Sequence, residues 1–209
     1  MPKVDFRLYV ITNRLLCGER TLTEVIGAVC RGGVKAIQLR EKDLPAKSIF
    51  NLAREIQQIC KKTGVKLLIN DRFDIARAIS ADGVQLTSKS LPVKIVRKHL
   101  SASQLVGVST HSLDEAKQAE DSGADFVLFG PVYHTPSKAT YGDPQGLTKL
   151  QEITKSVSIP VFAVGGMTPG KAKECGESGA FGVAVISSVM STQNISATLK
   201  SYEYYLDSL

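Results

Sequence analysis

Apolar and polar positions follow two different periods along this chain. Short apolar runs rich in β-branched residues alternate with segments in which apolar residues recur every three to four positions. The first pattern is typical of buried parallel strands and the second of amphipathic helices. Strands are predicted at Arg7–Thr12, Val34–Arg40, Val65–Asn70, Gly83–Leu86, Leu105–Ser109, Phe126–Gly130, Pro160–Val164 and Gly182–Ile186. Helices are predicted at Leu22–Arg31, Lys47–Lys62, Phe73–Ile79, Val93–His99, Leu113–Asp121, Leu147–Lys155, Pro169–Glu177 and Ile195–Leu206.

The ends of the predicted helices carry their own signals. Thr21 has Glu24 three positions on, and Ser112 has Glu115 at the same offset, which is the spacing of a capping box. Glycines follow the helices, as C-terminal caps should. They are Gly32, Gly33, Gly64, Gly123 and Gly179.

One helix-to-strand joint recurs along the chain, in RGGVKAIQL, SADGVQL, SGADFVLFG and SGAFGVAVIS. A repeated βα unit produces such an echo. Eight predicted strands and eight helices with no break in composition therefore indicate an α/β protein with one domain over residues 1–209. We predict a single (β/α)8 TIM barrel with a parallel eight-stranded core. An open doubly wound sheet is the alternative, and it would need one or two strands to be misassigned.

Polar stretches follow most of the predicted strands, and in a TIM barrel these strand ends meet at one rim where the chemistry lies. The stretches are QLREKD, INDRFD, QLTSKS, GVSTHS and the long GPVYHTPSKATYGDPQG. Arg40, Lys42 and Lys138 place positive charge there, which suits phosphate groups. Asp71 beside Asn70 offers the oxygen ligands that Mg²⁺ prefers.

The last two strand ends predict a phosphate site. The glycine pair in AVGGMT lets backbone N–H groups approach a ligand, and ISSVM starts a short helix that points at the same place. We therefore predict a mouth that binds two anionic groups. A phosphate would lie near Gly166 and Ser187, and a diphosphate near Arg40 and Lys138.

Composition narrows the class of partner. The 209 residues are 43% hydrophobic with a net charge of +6, but the basic residues are spread along the chain, so we expect phosphorylated small molecules and no nucleic acid. No apolar run is long enough to cross a bilayer and the N-terminus lacks signal-peptide features, so we expect no membrane association and a cytoplasmic location. Four scattered cysteines and three histidines without ligand spacing argue against a disulfide framework or a transition-metal centre. A homo-oligomer is possible.

The motifs QLREKD, INDR, GVSTHS, TPSK, VGGMTP and VAVISS resemble, in order and spacing, those of the thiamine phosphate synthase/TenI superfamily, from about Arg7 to Met190. The resemblance implies a TIM-barrel transferase that joins hydroxymethylpyrimidine diphosphate to a thiazole phosphate, giving thiamine phosphate and pyrophosphate. It implies that Mg²⁺ binds Asp71, and that Arg40, Lys42, Lys138 and Ser109 are catalytic. The implied substrate-binding residues are Gln38, Asn70, Thr135, Ser137, Gly166, Ile186 and Ser187.

One stretch departs from the synthase pattern. Where the synthases resemble GVHLGQED, with a second Mg²⁺-binding acid, this chain reads GVQLTSKS, so Ser90 takes the place of the acid and Lys89 precedes it. The change favours the TenI thiazole tautomerases, which need no metal, and His134 is then the alternative acid/base. Because QLREKD and INDR are kept, we favour the synthase; a tautomerase and a non-catalytic regulator that binds thiamine precursors remain alternatives. The loop Tyr133–Gly146 is long enough to act as a lid.

Overall fold

Eight parallel strands form the centre of the computed structural model, which describes residues 3–135 and 143–207. They are β1 Leu8–Ile11, β2 Ala36–Leu39, β3 Lys66–Asn70, β4 Gly83–Leu86, β5 Leu105–Thr110, β6 Phe126–Phe129, β7 Val161–Val164 and β8 Gly182–Val185. Each strand pairs with its neighbours in chain order, and β8 pairs with β1, with Tyr9 opposite Ala184. The barrel is therefore closed. The prediction of a TIM barrel is confirmed and the open doubly wound sheet is excluded.

Helices alternate with the strands on the outside of the barrel. In the described residues they are α1 Leu22–Arg31, α2 Ala46–Thr63, α3 Phe73–Ala78, α4 Val93–His99, α5 Leu113–Asp121, α6 Gly146–Ser156, α7 Pro169–Glu177, α8 Ser187–Met190 and α9 Ile195–Leu206. A 3₁₀ helix at Arg14–Leu16, which the sequence pattern did not predict, lies between β1 and α1. None of the described helices is both long and apolar enough to span a membrane.

The predicted caps are largely present. At α1 the Thr21 hydroxyl accepts from the Glu24 N–H at 3.3 Å, and the Glu24 carboxylate accepts from the Thr21 N–H at 2.7 Å. At α5 only half of the predicted box forms, because the Glu115 carboxylate accepts instead from the His111 N–H at 2.7 Å. Gly64 ends α2 with a φ of +71°, a left-handed conformation that glycine adopts without strain.

The recurring helix-to-strand joint has a physical basis at two positions. The carboxylate of Asp82 accepts from the backbone N–H of Leu67 at 2.8 Å, and that of Asp125 accepts from the N–H of Val106 at 2.6 Å. Each aspartate thus holds the preceding strand of the barrel. These contacts lie at the amino ends of the strands, where TIM barrels keep stabilising rather than catalytic residues.

Aromatic side chains fill the amino-end half of the barrel interior. The ring centroid of Phe6 lies 5.5 Å from that of Tyr9, 5.8 Å from that of Phe126 and 5.3 Å from that of Phe162. All four residues are fully buried. Such tilted and edge-on packing of large rings is favourable, and it closes this end of the barrel. We call these four residues the aromatic floor. An open site can therefore lie only at the carboxyl ends of the strands.

Candidate active site

Polar side chains lie above the aromatic floor in two layers. Gln38 and Gln85 form the buried layer, and Asn70 and Ser109 form the layer at the mouth. Because side chains alternate along a strand, Gln38 on β2 and Gln85 on β4 point into the barrel, and both are buried. The Gln38 amide donates to the Tyr9 hydroxyl at 3.4 Å. Burial raises the pKa of Tyr9, so its hydroxyl stays neutral and can accept this bond. Asn70 and Ser109 are half-buried at the mouth itself.

Asp71 and Ser90 meet at the rim, as their positions after β3 and β4 predict. The Ser90 hydroxyl donates to Asp71 Oδ1 at 2.5 Å and accepts from the Thr87 N–H at 2.8 Å. Asp71 has a φ of +63°, a left-handed conformation that is uncommon outside glycine and clusters at functional sites. Asp71, Lys89 and Ser90 also line a cleft of about 460 Å³.

Positive charges gather on this side of the mouth. The pKa of the Lys42 ammonium is lowered, first by partial burial and then by the charges of Arg40 and Lys89, while the charge of Asp71 opposes the shift. Like charges within interaction range destabilise each other unless an anion lies between them. Asp71 opposes the repulsion among these cations but does not cancel it. An anion that binds beside Lys42 would therefore be stabilised by their charges.

Glu41 and Asp43, the acidic residues of QLREKD, hold the loop after β1 through Thr12 and Arg14. The buried Glu41 carboxylate accepts from the Thr12 hydroxyl at 2.6 Å and from the Arg14 N–H at 3.1 Å. The Thr12 hydroxyl in turn accepts from the Arg40 N–H at 2.9 Å. The Arg14 guanidinium lies on Glu41 at 3.2 Å and forms two hydrogen bonds to Asp43, lowering the pKa of that carboxyl to about 2. We call these contacts the Glu41 network.

The opposite side of the mouth is built from backbone. Gly165 and Gly166 have φ values of +101° and +67° after β7. A Cβ on Gly166 would lie 2.6 Å from the His134 carbonyl oxygen, and one on Gly165 would lie 2.6 Å from the Pro131 Cβ. The glycine pair is therefore required both by conformation and by the close approach of the segment after β6.

The short helix α8 begins directly after β8, as predicted, and α9 holds it against the glycine loop. Ile186 precedes its first residue, the exposed Ser187. The first N–H groups of any helix lack intrahelical partners and so can bind an anion. The Tyr202 hydroxyl of α9 lies 3.0 Å from the Met167 carbonyl oxygen and 2.9 Å from Ser188 Oγ. Burial raises the pKa of Tyr202 to about 12, so this contact stays neutral.

The loop after β6 is anchored at both ends. The Gln145 N–H donates to the Pro131 carbonyl at 2.7 Å, and the Tyr133 hydroxyl donates to Glu174 at 2.6 Å. Thr135 is half-buried and His134 is exposed. The predicted residues Ser137 and Lys138, and half of the predicted lid, lie outside the described residues. Their roles stay predictions.

The residues at Asp71 fit one kind of Mg²⁺ site. Among residues 3–135 and 143–207, no cluster of three or more His, Cys, Asp and Glu side chains is placed to hold a metal ion. Asp71 and Ser90 supply a carboxylate and a hydroxyl within 2.5 Å of each other. Mg²⁺ is commonly held by one or two carboxylates while substrate phosphates and water complete its shell. The donor set therefore suits a Mg²⁺ ion shared with a diphosphate, not one bound by protein alone.

Sequence reasoning missed three participants: Gln85, Thr12 and Glu41 in its supporting role. The signal for Gln85 was present, because it is a polar residue inside an apolar parallel strand, as Gln38 is. Thr12 likewise directly follows the apolar strand β1 and is fully buried. The direction of the Glu41 side chain, by contrast, depends on Arg14, which is distant in sequence.

The fold and this rim define a class: a (β/α)8 barrel with its candidate site at the carboxyl ends of the strands. Residues 8–189 match the family model described as thiamine monophosphate synthase, so the chain belongs to that family. It is 48% identical over 190 residues to a putative thiamine-phosphate synthase of Geobacter sulfurreducens, covering 91% of this chain and 89% of that protein. It is 40% identical over 194 residues to the thiamine-phosphate synthase of Roseiflexus castenholzii, covering 93% of this chain and 85% of the relative.

A solved structure agrees with these relatives. The thiamine phosphate pyrophosphorylase of Pyrococcus furiosus superposes with a TM-score of 0.87 at 32% identity. The match covers 99% of this chain and 97% of that one. The family resemblance read from QLREKD, INDR and VGGMTP is therefore confirmed over the whole barrel.

Proposed function

We propose that this protein is a thiamine-phosphate synthase, a transferase that couples hydroxymethylpyrimidine diphosphate with a thiazole phosphate. The observation that carries the proposal, beside the family relationship, is the division of one mouth into two sides. On the first side, Lys42 lies within charge-interaction range of Arg40, Lys89 and Asp71. Gly166 and the start of α8 form the second. Two different anions fit this division, a diphosphate and a monophosphate.

The reaction breaks the bond between the pyrimidine methylene carbon and the diphosphate oxygen. The electron pair of that bond leaves with pyrophosphate, and the thiazole nitrogen then donates its lone pair to the methylene carbon. The product is thiamine phosphate. No side chain has to add or remove a proton in these two steps, so catalysis depends on charge stabilisation and on alignment of the substrates.

The charged side of the mouth supplies the stabilisation. Negative charge develops on the leaving oxygen, and Arg40, Lys42 and Lys89 are positioned to interact with it. Preorganised charges are effective here because they need little rearrangement during the reaction. Asp71, with Ser90, would hold Mg²⁺. That ion, when bound, would neutralise part of the pyrophosphate charge.

The glycine side supplies alignment. A phosphate held by the backbone N–H groups near Gly166 and Ser187 would fix one end of the thiazole substrate. The Glu41 network holds the Arg40 backbone through Thr12, and Tyr202 holds α8 and the glycine loop together. The two substrates are thereby kept at set positions above the aromatic floor.

A coupling assay tests the proposal. Purified protein is given both substrates with and without Mg²⁺, and thiamine phosphate is measured by chromatography. We expect Mg²⁺-dependent product, strongly reduced in Asp71→Asn, which keeps the side-chain shape and tolerates the left-handed backbone. Lys117→Ala, on the outer helix α5, is the control and should retain activity. Absence of product under every metal condition would contradict the proposal.

The same sample separates the alternatives. Ser90 in place of an acid is the observation that keeps the tautomerase under consideration. Turnover of the thiazole carboxylate phosphate without metal, and without coupling, would identify a tautomerase. Binding of either precursor without turnover would instead support a regulator.

A further inference from the structure

Gln85 lies between two candidate site residues that belong to neighbouring strands. It pairs in register with Asn70 on β3 and with Gly107 on β5. Its backbone carbonyl accepts from the Asp71 N–H at 2.8 Å. Its side-chain amide donates to the Ser109 hydroxyl at 3.2 Å. One residue thus contacts both the candidate metal ligand and the candidate pyrophosphate ligand.

The barrel makes room for this side chain at a structural cost. Gln85 is fully buried, and its Oε1 has no hydrogen-bond partner among the described residues. A Cβ on Gly107 would lie 2.3 Å from that oxygen and 2.3 Å from Cζ of Phe126. A buried acceptor without a partner is destabilising, because it has lost its hydrogen bonds to water. An apolar side chain of the same shape would avoid this cost, so the glutamine is not explained by stability.

The direction of the hydrogen bond determines what Ser109 can do. A hydroxyl has one proton to donate and lone pairs to accept with. Because Ser109 accepts from the Gln85 amide, its own proton remains available to another group. Ser109 is half-buried at the mouth on β5, which pairs with β4. Asp71 and Ser90 lie at the rim after β3 and β4 and are hydrogen-bonded to each other. An anion bound there is the natural acceptor.

We infer that Gln85 is a positioning residue, which orients the Ser109 hydroxyl so that it donates to the pyrophosphate group. The inference rests on the proposed function for its meaning in turnover, but its binding step can be measured alone. Gln85 itself does not touch the reacting atoms. It acts by fixing a donor that would otherwise rotate freely and hydrogen-bond to water or to a backbone carbonyl.

Calorimetric binding of inorganic pyrophosphate in Mg²⁺ buffer tests the inference. The variants are Gln85→Met, which keeps shape without polarity, Ser109→Ala and the double variant. We expect each single change to weaken binding roughly ten-fold, as loss of one hydrogen bond to a charged group does. The double variant should bind no more weakly than Ser109→Ala, because both changes remove the same interaction. Independent, multiplicative losses would overturn the inference.

A glutamate at the same position tests the direction of the bond. At a pH high enough to ionise the glutamate of Gln85→Glu, its carboxylate can only accept from Ser109 and so takes the proton that the anion needs. We expect pyrophosphate binding weaker than in Gln85→Met. Wild-type binding in Gln85→Glu would show that Ser109 donates to residue 85, and it would overturn the inference.

Thermal unfolding distinguishes a positioning role of Gln85 from a merely structural one. Gln104, on the loop before β5, has both ends of its amide satisfied, by Ala81 and Ser101, and Gln104→Met is the matched control. We expect Gln104→Met to lower Tm without changing pyrophosphate binding, and Gln85→Met to keep or raise Tm while binding falls. A lower Tm with unchanged binding in Gln85→Met would make Gln85 structural. Coupling activity of the wild type is measured in parallel, so a failure of the synthase proposal is seen separately.

Discussion

The two sides of the mouth hold their candidate ligands by different means. The side from β2 to β5 uses side chains, with the charges of Arg40, Lys89 and Asp71 all acting on Lys42 and the Glu41 network behind them. The side from β7 to β8 uses backbone, with two left-handed glycines and the first turn of α8, held by Tyr202. Charged side chains suit a group that must leave, since their interactions with that group strengthen as negative charge develops on it. Fixed backbone suits a group that stays attached.

This difference predicts that substitutions on the two sides change different kinetic constants. Side-chain changes near Asp71 should mainly lower kcat, whereas changes in the glycine loop should mainly raise KM for the thiazole phosphate. Four experiments test the comparison.

The largest effect is expected for Lys42→Met, which keeps the length of the side chain and removes its charge. We expect kcat to fall about 100-fold or more, as for loss of one group that stabilises transition-state charge. KM for the thiazole phosphate should stay close to the wild-type value. Steady-state kinetics with both substrates varied checks this, with Lys117→Ala as control. A change confined to that KM would contradict the division of roles.

Gly166→Ala should have the opposite signature. The new Cβ would lie 2.6 Å from the His134 carbonyl, at a residue with a φ of +67°, so the loop must move. We expect KM for the thiazole phosphate to rise on the order of ten-fold or more, with a smaller change in kcat. Gly170→Ala in the same segment is the matched control, since nothing lies within 4 Å of its added Cβ. Equal kinetic changes in Gly166→Ala and Gly170→Ala would show that the close approach at Gly166 is not the cause.

Glu41→Gln tests the support behind the charged side. The change removes the charge from the Glu41 end of its contact with Arg14, which keeps Asp43 as a charge partner, and it weakens the bond from Thr12. We expect the free energy of unfolding to fall by about 1–3 kcal/mol, measured in urea. Asp43→Asn is the comparison, because that carboxylate is exposed. It should cost less at neutral pH. A larger loss in Asp43→Asn would place the support in the surface ion pair instead.

The smallest effect is a shift in a pH profile. Burial and the charges of Arg40 and Lys89 lower the pKa of Lys42, so its positive charge is lost at a lower pH than for an ordinary lysine. Activity that depends on this charge should therefore decline on the alkaline side. Lys89→Met removes one like charge, which raises the Lys42 pKa and moves the decline to higher pH. Profiles of kcat/KM across the alkaline range check the direction of this shift.

Most of the fold could be predicted from sequence because its two periods are strong. The bounds of β4, α1, α4, α5, α7 and α9 agree with the prediction, and the other predicted elements differ by one or two residues at an end. Parallel strands buried on both faces leave little ambiguity in pattern. The half-formed box at Ser112 shows the limit of a spacing rule, because Glu115 found a closer partner in the His111 N–H.

The site was harder to predict because side-chain direction depends on residues far away in sequence. Within QLREKD, the pattern could not separate Arg40 and Lys42 from Glu41, whose carboxylate accepts from Thr12 and Arg14 in the segment after β1. The metal and phosphate roles of Asp71, Gly166 and Ser187 stay predictions until ligands are measured.

The aromatic floor limits how substrates and products can enter and leave the barrel. The interior of the barrel opens only at the rim, because the amino end is closed by Phe6, Tyr9, Phe126 and Phe162. Substrates and products must therefore all pass through the rim, so a bound product blocks the entry of the next substrate. Order of arrival and departure is then imposed by geometry, and we expect thiamine phosphate to inhibit competitively against at least one substrate in initial-rate measurements.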